Sequence, residues 1–416
     1  MPPLSVMFKT VSSDCNLDCS YCYYRQSMEG VRAQRRLDAV LLERFMPLYM
    51  EYIADTHRAN LSWQGGEPTL AGLDFFRLVV ELEAKYASPP LVIDNAIQTN
   101  AVLLDDRWAE FFAEYRFLVG VSLDGPEDIH DAARKDRGGN GSYRRVMAGI
   151  EALRKRSVEL NILCVVSPHN VHMAHDLMQF YRREGLTYLQ FIPAMDFQST
   201  EPYKPPTYLI NPGQYGEFLA ALFDEWYGEG IPRVSIRTFD NFIQSLLGVN
   251  NDLCVHSGSC DSGLVIEYNG DVFPCDFYVH PKWWLGNVLQ DSLKNMLESG
   301  VRRRFIRRRE HPPDACVQCQ WKNLCKSECP RNWRASPMSS GVSYFCQSYR
   351  MLFEHAGERL NTLAARLAAY RKYMAWCAAH KSISLNGNVP CPCGSGHKFR
   401  DCCGNPALGG SYLFQQ

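Results

Sequence analysis

The chain has 416 residues, of which 46% are hydrophobic and 21% charged, and its formal net charge is −1. This length exceeds one ordinary domain, and the composition is that of a globular protein with a buried core. The near-zero charge argues against a nucleic-acid or membrane partner, and the start, MPPLSVMFKT, lacks the apolar core of a signal peptide. No stretch approaches the roughly 18 apolar residues of a membrane span. We therefore expect a cytoplasmic protein.

Strand-like and helix-like patterns alternate over the first 195 residues. Short β-branched runs predict six strands, at Ser5–Thr10, Asn60–Trp63, Leu91–Gln98, Phe117–Ser122, Asn161–Val166 and Tyr188–Ile192. Amphipathic runs predict helices near 39–55, 73–86, 105–115, 143–156 and 172–183. The alternation predicts an α/β fold of parallel βα units, either an open sheet or a partial barrel. Reactive groups are expected at the C-terminal ends of its strands.

The later part of the chain is less regular, and we expect five parts in all. Helical patterns recur near 213–228 and 347–380, on either side of a cysteine-rich region. The last module is too short to build its own core and would need a metal as a staple. The five parts are the α/β domain (1–200), a connecting helical segment (201–250), the cysteine-rich domain (251–350), a helix (351–380) and the tail (388–416).

The cysteines are the most informative residues. Seventeen cysteines in a reducing compartment are not expected to pair as disulfides, and clustered thiols there indicate metal sites. Fifteen of them fall into three groups along the chain. Cys164 and Cys377 stand apart, and we expect them to be ordinary core or surface residues.

The first group has the spacing C-x3-C-x2-C, with Cys15, Cys19 and Cys22 directly after the first predicted strand. Three thiolates on one short loop can hold three irons of a [4Fe–4S] cluster and leave the fourth iron open. The alternatives are three structural cysteines or a zinc site, although zinc would want a fourth nearby ligand. The segment Gly65–Pro68, GGEP, follows the second predicted strand. Its glycines either let the backbone approach a ligand closely or merely form a turn.

This spacing, with an aromatic residue before the third cysteine, resembles the radical S-adenosylmethionine (SAM) superfamily. The resemblance implies a partial (β/α)6 barrel in which the cluster reductively cleaves SAM to a 5′-deoxyadenosyl radical. The family positions are matched by Gly65, Gly66 and Glu67 for the methionine amino group, Ser122 for the ribose, Arg134 for the carboxylate, and Tyr21 and Met195 for the adenine side through backbone atoms. Ordinary loop polarity is the alternative for Ser122 and Arg134.

The second group contains eight cysteines, enough for two sets of four ligands. The pattern C-x9-G-x4-C, then C-x2-C-x5-C-x3-C and a last cysteine, resembles the SPASM domain, which carries two auxiliary [4Fe–4S] clusters. The resemblance assigns Cys254, Cys260, Cys275 and Cys329 to one cluster, and Cys316, Cys319, Cys325 and Cys346 to the other. Two zinc sites are the alternative, since C-x2-C is also a zinc spacing. Fully ligated clusters would serve electron transfer and framework stability.

Asp276 directly follows Cys275. A carboxylate there would be well placed as a general base, and a turn residue that caps its own backbone is the plainer alternative. This segment, with Leu285-Gly286-Asn287, the opening PPLS and the double tyrosine after Cys22, resembles the anaerobic sulfatase-maturating enzymes over nearly all of residues 1–350.

That resemblance implies a peptide or protein substrate: a cysteine or serine of a sulfatase would be oxidised to Cα-formylglycine. It also implies SAM and three [4Fe–4S] clusters as cofactors, and an electron donor such as flavodoxin or ferredoxin. One alternative is a SPASM-type maturase that forms thioether or carbon–carbon cross-links in a ribosomal precursor peptide. A non-enzymatic metal-binding adaptor is the other.

Two features lie outside this pattern. Six arginines, Arg302–Arg304 and Arg307–Arg309, form a dense run that we interpret as a solvated helix face rather than a nucleic-acid site. The tail has the spacing C-x-C-x8-C-C, which suits a tetrahedral zinc site and resembles the SEC-C motif. Its thiols are Cys391, Cys393, Cys402 and Cys403, with His397 as an alternative ligand. We interpret the tail as a docking element for a protein partner.

Overall fold

The computed structural model describes residues 4–24, 35–195, 207–261, 263–334, 341–379, 386–393, 395–405 and 413. The prolines of PPLS and most of the predicted tail beyond residue 405 lie outside the described residues. The chain divides into two compact units. The first unit comprises Met1–His169, Ile192–Leu209 and Gly258–Pro313, and the second comprises Asn170–Phe191, Ile210–Ser257 and Asp314–Gln416.

Ten strands and fourteen α-helices form within the described residues. The strands are β1 (Ser5–Phe8), β2 (Arg58–Trp63), β3 (Val92–Thr99), β4 (Leu118–Ser122), β5 (Leu160–Val166), β6 (Tyr188–Pro193), β7 (Ser235–Ile236), β8 (Gly263–Ile266), β9 (Asp271–Phe273) and β10 (Gly286–Asn287). The helices are α1 (Ala39–Ile53), α2 (Leu73–Tyr86), α3 (Asp106–Glu114), α4 (Glu127–Ala133), α5 (Tyr143–Lys155), α6 (Ala174–Arg183), α7 (Pro212–Tyr227), α8 (Arg237–Leu246), α9 (Cys254–Ser257), α10 (Leu293–Leu297), α11 (Gly300–Arg307), α12 (Asp314–Val317), α13 (Lys322–Cys325) and α14 (Cys346–Ala379). The predicted strands and helices are confirmed, with ends that differ by one or two residues at most.

The first unit is built on a sheet in which β1 to β5 pair in parallel. The predicted α/β fold with parallel βα units is therefore confirmed, and its sheet does not close into a barrel. Three strands of the cysteine-rich region, β8, β9 and β10, extend this sheet. Ser5 of β1 is in register with Asn60 on one side and with Gly263 of β8 on the other, and β9 then pairs antiparallel with β8.

Aromatic packing fixes the end of β1 in the first unit. The ring of Phe8 stacks on Trp63 at a centroid distance of 4.8 Å and meets Phe45 of α1 edge-on at 5.3 Å. All three side chains are buried. Truncation of a buried aromatic residue to alanine typically costs about 3–5 kcal/mol. This packing holds the residues that follow β1, where the cysteine loop begins.

The second unit is mainly helical. The 34-residue helix α14 packs along α7, where Gly216 makes room for Met351, since a Cβ atom there would lie 2.6 Å from the Met351 sulfur. Asp224 of α7 accepts from His355 at 2.9 Å and pairs with Arg359 at 2.7 Å. Strands β6 and β7 pair in parallel in the register Tyr188 to Ser235. Among the described helices, α14 included, none has the length and apolar character that crossing a membrane requires.

Candidate active site and metal centres

The loop that carries the first three cysteines follows β1 and is held by backbone hydrogen bonds. The Asp18 N–H donates to the Lys135 carbonyl at 2.7 Å, and the Ser20 N–H donates to the Ala133 carbonyl at 3.0 Å. One buried cluster contains Leu17, Cys19, Tyr21, Ala133 and Ala194, and Cys15 and Cys22 pack against it. The loop is thus anchored to the end of α4 and to the residues after β6.

The three thiols of this loop lie close enough to influence one another. Burial raises the pKa of Cys15 to about 12, with smaller contributions from Glu67 and from Cys19 and Cys22. Burial also raises the pKa of Cys19 to about 11. A metal cation reverses this effect because it binds the thiolate. None of the three forms a disulfide, so the donor set fits three ligands of a [4Fe–4S] cluster.

Glu67 of the GGEP segment is fully buried, and the protein itself uses its carboxylate. This group accepts from the Thr69 N–H at 3.0 Å, the Thr69 hydroxyl at 2.6 Å, the Thr99 hydroxyl at 2.7 Å and the Asn100 N–H at 2.7 Å. Burial raises the pKa of Glu67 even so. Its own N–H donates to the Asp14 carbonyl at 2.7 Å. Glu67 therefore ties the GGEP turn to the end of β3 and to the cysteine loop.

Gly65 and Gly66 are needed for close approach between parts of the protein. Their φ angles are +101° and +50°. A Cβ atom on Gly66 would lie 2.0 Å from the Asp14 carbonyl oxygen, and one on Gly65 would lie 2.7 Å from the Lys9 side chain. We expected these glycines to make room for a ligand, whereas the space beside each is taken by the protein. Their contact with SAM, like that of Glu67, stays a prediction.

Asp124 brings two of the predicted SAM contacts together. Arg134 donates to its carboxylate from Nε at 2.9 Å and from Nη2 at 3.2 Å, and the Tyr21 hydroxyl donates to the same carboxylate. The side chains of Arg134 and Asp124 are only 7% and 2% exposed. The charge of Arg134 is thus balanced within the protein, and its predicted role toward the SAM carboxylate stays a prediction.

The remaining predicted SAM contacts lie at strand ends of the first unit. Ser122 is the last residue of β4, and its hydroxyl accepts from Gln98 Nε2 at 3.2 Å. Met195 is buried and follows Ala194, whose N–H donates to the Val166 carbonyl at 2.7 Å. Both positions agree with the expectation that polar and ligand-binding groups gather at the C-terminal ends of the strands.

Asp276 lies within a buried network and does not merely cap a turn. Lys9 forms an ion pair with it, and the hydroxyls of Tyr23 and Tyr24 donate to its Oδ2 at 2.5 and 2.7 Å. The Asp276 and Lys9 side chains are 6% and 2% exposed. Burial favours the neutral acid, but the charge of Lys9 and the three donors hold the pKa of Asp276 below its ordinary value. The carboxylate is therefore ionised at neutral pH, as a general base must be.

Sequence reasoning missed several residues of this network. Lys9 is 1% exposed and also lies over the Tyr24 ring, with Nζ 3.8 Å from the centroid. Glu267, just past β8, is a second carboxylate near Lys9, and burial raises its pKa against the opposing charge of Lys9. Asp124 was missed as well. The double tyrosine after Cys22 was the one available signal, although its role as a donor pair was not predicted.

Four of the eight later cysteines line one cavity in the second unit. This cavity has a volume of about 540 Å³, and Cys316, Cys319, Cys325 and Cys346 are among its lining residues. Burial raises the pKa of the Cys325 thiol far above its ordinary value when no metal is bound. Four converging thiols around such a space fit the ligands of a [4Fe–4S] cluster.

The other predicted set divides between the units. Cys260 and Cys275 belong to the first unit, and Cys254 and Cys329 to the second. Burial raises the pKa of Cys329 to about 12, and the nearby Cys254 adds to this. None of the four forms a disulfide, and their assignment to one cluster stays a prediction.

The tail cysteines form a compact group that could hold a metal ion. The sulfur atoms of Cys391, Cys393, Cys402 and Cys403 all lie within 4.8 Å of one another. They pack against Ala369, Tyr370 and Tyr373 of α14 and against Phe399. His397 is exposed and is not a member of this group. Of the two unassigned cysteines, Cys164 is buried in β5 and Cys377 is half-buried on α14.

Comparison with known proteins identifies three domains, each of which includes cysteines of one of the three groups. The family model described as the radical SAM superfamily matches residues 10–181, the iron–sulfur cluster-binding domain SPASM matches 258–320, and the SEC-C motif matches 388–405. The cysteine-type anaerobic sulfatase-maturating enzyme of Clostridium perfringens is 38% identical over 370 residues, which cover 88% of this chain and 99% of the relative. The serine-type enzyme of Bacteroides thetaiotaomicron is 33% identical, with 88% of this chain and 92% of the relative covered.

Among solved structures, native anSMEcpe with bound AdoMet and the Cp18Cys peptide matches with a TM-score of 0.79 and 37% identity. The match covers 87% of this chain and 99% of that one. The agreement extends over the α/β sheet and the cysteine-rich region together, so it is not limited to one shared domain. The chain therefore belongs to the anaerobic sulfatase-maturating enzymes of the radical SAM superfamily.

Proposed function

We propose that this protein oxidises a cysteine or serine residue of a sulfatase to Cα-formylglycine, with SAM and three [4Fe–4S] clusters as cofactors. The observation that carries the proposal is the buried, ionised carboxylate of Asp276, directly after Cys275 and paired with Lys9. Relatives of the cysteine type and of the serine type both support a substrate whose side chain carries a thiol or a hydroxyl.

The reaction is a two-electron oxidation of one substrate side chain. Cys15, Cys19 and Cys22 would hold the first cluster, which together with SAM would supply a 5′-deoxyadenosyl radical able to remove one hydrogen atom from the substrate Cβ. Asp276 accepts the proton of the thiol or hydroxyl. An auxiliary cluster held by the later cysteines would take up the electron that this oxidation releases. A serine then becomes the aldehyde directly. A cysteine becomes a thioaldehyde, which takes up water and releases hydrogen sulfide.

The residues around Asp276 support the role of base in two ways. Lys9 stabilises the ionised form before the reaction, so that a proton can be accepted at Oδ1 or Oδ2. The hydroxyls of Tyr23 and Tyr24 both donate to Oδ2, and their oxygens lie 2.6 Å apart, which fixes the orientation of the carboxylate. Orientation matters because a base must lie within hydrogen-bond reach of the proton that it removes.

The rival functions receive less support. The match over nearly the full length of anaerobic sulfatase-maturating enzymes makes the adaptor interpretation wrong. A cross-linking maturase would share the sheet and the cysteine pattern, and it would join two substrate residues without producing an aldehyde. The aldehyde product is therefore what distinguishes the two enzymes.

Three further assignments belong to the same proposal. The four thiols of the tail bind Zn²⁺, and the tail serves as a docking element for a protein partner. A small electron-transfer protein such as flavodoxin or ferredoxin supplies electrons. The reaction takes place in the cytoplasm, where the seventeen cysteines stay reduced.

Mass spectrometry of a sulfatase-type peptide tests the proposal. A peptide with cysteine or serine followed by x-Pro-x-Arg is incubated anaerobically with the reconstituted enzyme, SAM and a reductant. We expect the aldehyde product, and we expect Asp276→Asn to form deoxyadenosine but little aldehyde. Asp74→Asn, at a side chain that is 92% exposed, is the matched control.

An unchanged peptide beside abundant deoxyadenosine would refute the substrate assignment. Aldehyde formation by Asp276→Asn at the wild-type rate would remove Asp276 from proton transfer.

A further inference from the structure

Only three of the six arginines in the run Arg302–Arg309 are exposed to solvent. Helix α11 begins after Ser299, whose hydroxyl accepts from the Arg302 N–H at 3.2 Å. Three arginines of the run are exposed, as expected, and they are Arg303, Arg304 and Arg307. The other three, Arg302, Arg308 and Arg309, are half-buried or buried within the first unit. Their contacts call for a different explanation from that of a solvated face.

Two of these arginines bind the backbone on either side of Cys260. Arg302 donates from Nη2 to the Asp261 carbonyl at 2.5 Å and from Nη1 to the Leu297 carbonyl at 3.3 Å. Arg309, which is 6% exposed, donates from Nη1 to the Ser259 carbonyl at 3.4 Å. Cys260 is thus bracketed by two guanidinium groups.

The third inward arginine supports the turn after Cys275. The guanidinium carbon of Arg308 lies 4.2 Å from the ring centroid of Tyr278, 4.8 Å from that of Trp283 and 4.1 Å from that of Phe305. The Tyr278 N–H donates to the Cys275 carbonyl at 3.0 Å, so Tyr278 belongs to the turn that begins at this cysteine. Arg308 therefore braces the segment that presents both Cys275 and Asp276. Cation–π contacts of this kind are stronger when they are desolvated.

The common feature of the three arginines is positive charge beside predicted cluster ligands. Arginine stays protonated even when buried. A [4Fe–4S] cluster with four thiolates is anionic and gains one more negative charge on reduction, so nearby positive charge stabilises the reduced form. Net charge and hydrogen bonding are among the factors that set the reduction potential of such clusters.

We propose that Arg302, Arg308 and Arg309 position Cys260 and Cys275 and raise the reduction potential of the auxiliary cluster that these cysteines ligate. The cluster then accepts more readily the electron that substrate oxidation releases. The inference rests on the proposed function in one respect, which is that this auxiliary cluster is an electron acceptor. It assigns to the arginines a positioning and electrostatic role and no contact with substrate.

The test is an EPR-monitored redox titration of the reconstituted holoenzyme. The signal of the first cluster is identified by its change on addition of SAM. For Arg302→Gln and for Arg309→Gln we expect one auxiliary signal to be harder to reduce. One unit charge at about 10 Å and an effective dielectric of about 20 corresponds to about a tenfold lower ratio of reduced to oxidised cluster at a fixed potential. A tenfold change is about 59 mV for one electron.

Matched controls come from the same arginine run. Arg304→Gln and Arg307→Gln remove the same charge from exposed positions and are expected to leave both auxiliary potentials unchanged. Arg302→Lys and Arg309→Lys keep the charge and are expected to restore the wild-type potential. Equal shifts in all four glutamine variants, or no shift in Arg302→Gln and Arg309→Gln at full iron content, would overturn the proposal.

Loss of iron is also informative. If the glutamine variants lose iron, the lysine variants provide the test. Lysine variants that retain the cluster at an unchanged reduction potential support the proposal, and lysine variants that also lose iron overturn the electrostatic role. None of these measurements uses a peptide. An unmodified peptide in the formylglycine assay would therefore refute the substrate assignment and leave the outcome of the titration intact.

Discussion

Replacement of Lys9 by methionine removes a buried positive charge and keeps an unbranched side chain that is one atom shorter. With Lys9 2% and Asp276 6% exposed, little water is available to replace the ammonium group. Two unit charges at about 4 Å and an effective dielectric of about 20 interact by about 4 kcal/mol, and loss of one partner of a buried pair costs about 3–5 kcal/mol. The hydroxyls of Tyr23 and Tyr24 remain and offset part of this loss.

The direction of the pH effect follows from the wild-type network. The pKa of Asp276 is held below its ordinary value, so its carboxylate contributes stability above the unfolded-state pKa, and this is lost as pH falls through the folded-state pKa. Without Lys9, burial prevails and raises the pKa. The ionised form then costs stability as pH rises, and the base is protonated over part of the neutral range.

Formylglycine formation by Lys9→Met is therefore expected to fall at neutral pH by at least about tenfold, which is about 1.4 kcal/mol in the barrier, and to recover as pH rises. The assay is a pH–rate profile of aldehyde formation, with deoxyadenosine and iron content measured in the same samples. Lys9→Arg keeps the charge and serves as the control. A wild-type profile in Lys9→Met at full iron content would refute the reasoning.

Two further predictions concern the metal centres. Gly66→Ala places a Cβ atom 2.0 Å from the Asp14 carbonyl and should lose iron from the first cluster and about 1–3 kcal/mol of stability. The control Gly72→Ala, at a φ of +86° with nothing within 4 Å of the new Cβ atom, should keep its iron and show only backbone strain. Iron analysis and thermal unfolding distinguish the two variants. Cys402→Ser should lose zinc, as measured by elemental analysis, and keep its iron, because its sulfur lies within 4.8 Å of the other three tail thiols. Zinc retained in full by this variant would contradict the tail assignment.

Much of the fold follows from local patterns in the sequence. Alternating β-branched and amphipathic runs predict β1 to β6 and the helices between them, because each run buries one face or stripe. The pairing of β8 with β1 could not be predicted, since Gly263–Ile266 has only four residues and its partner is more than 250 residues away. Short, non-local pairings leave no periodic signal.

The candidate site was predictable where covalent chemistry dictates residue type, and less so elsewhere. Cysteine spacing indicates the metal centres because ligands must converge within a few ångströms. Lys9 was missed because a single lysine after a strand looks like a surface residue, and only the fold reveals that Asp276 makes its burial tolerable. The prediction of a solvated face was wrong for three of the six arginines, since charge density alone does not tell which side chains are buried.

The backbone of Lys9 shows how the position of the Asp276 carboxylate depends on the sheet. The Lys9 N–H donates to the Ile266 carbonyl at 2.9 Å, which is the last backbone hydrogen bond between the ends of β1 and β8. The Lys9 side chain pairs with the carboxylate of Asp276, which follows β9. A slip of one residue between β1 and β8 would displace that carboxylate by about 3.3 Å and turn it to the other face. The cysteine-rich region therefore cannot be exchanged independently of β1, with which β8 pairs. Chimeras that join it to another enzyme of this family should exchange β1 and β8 as a matched pair.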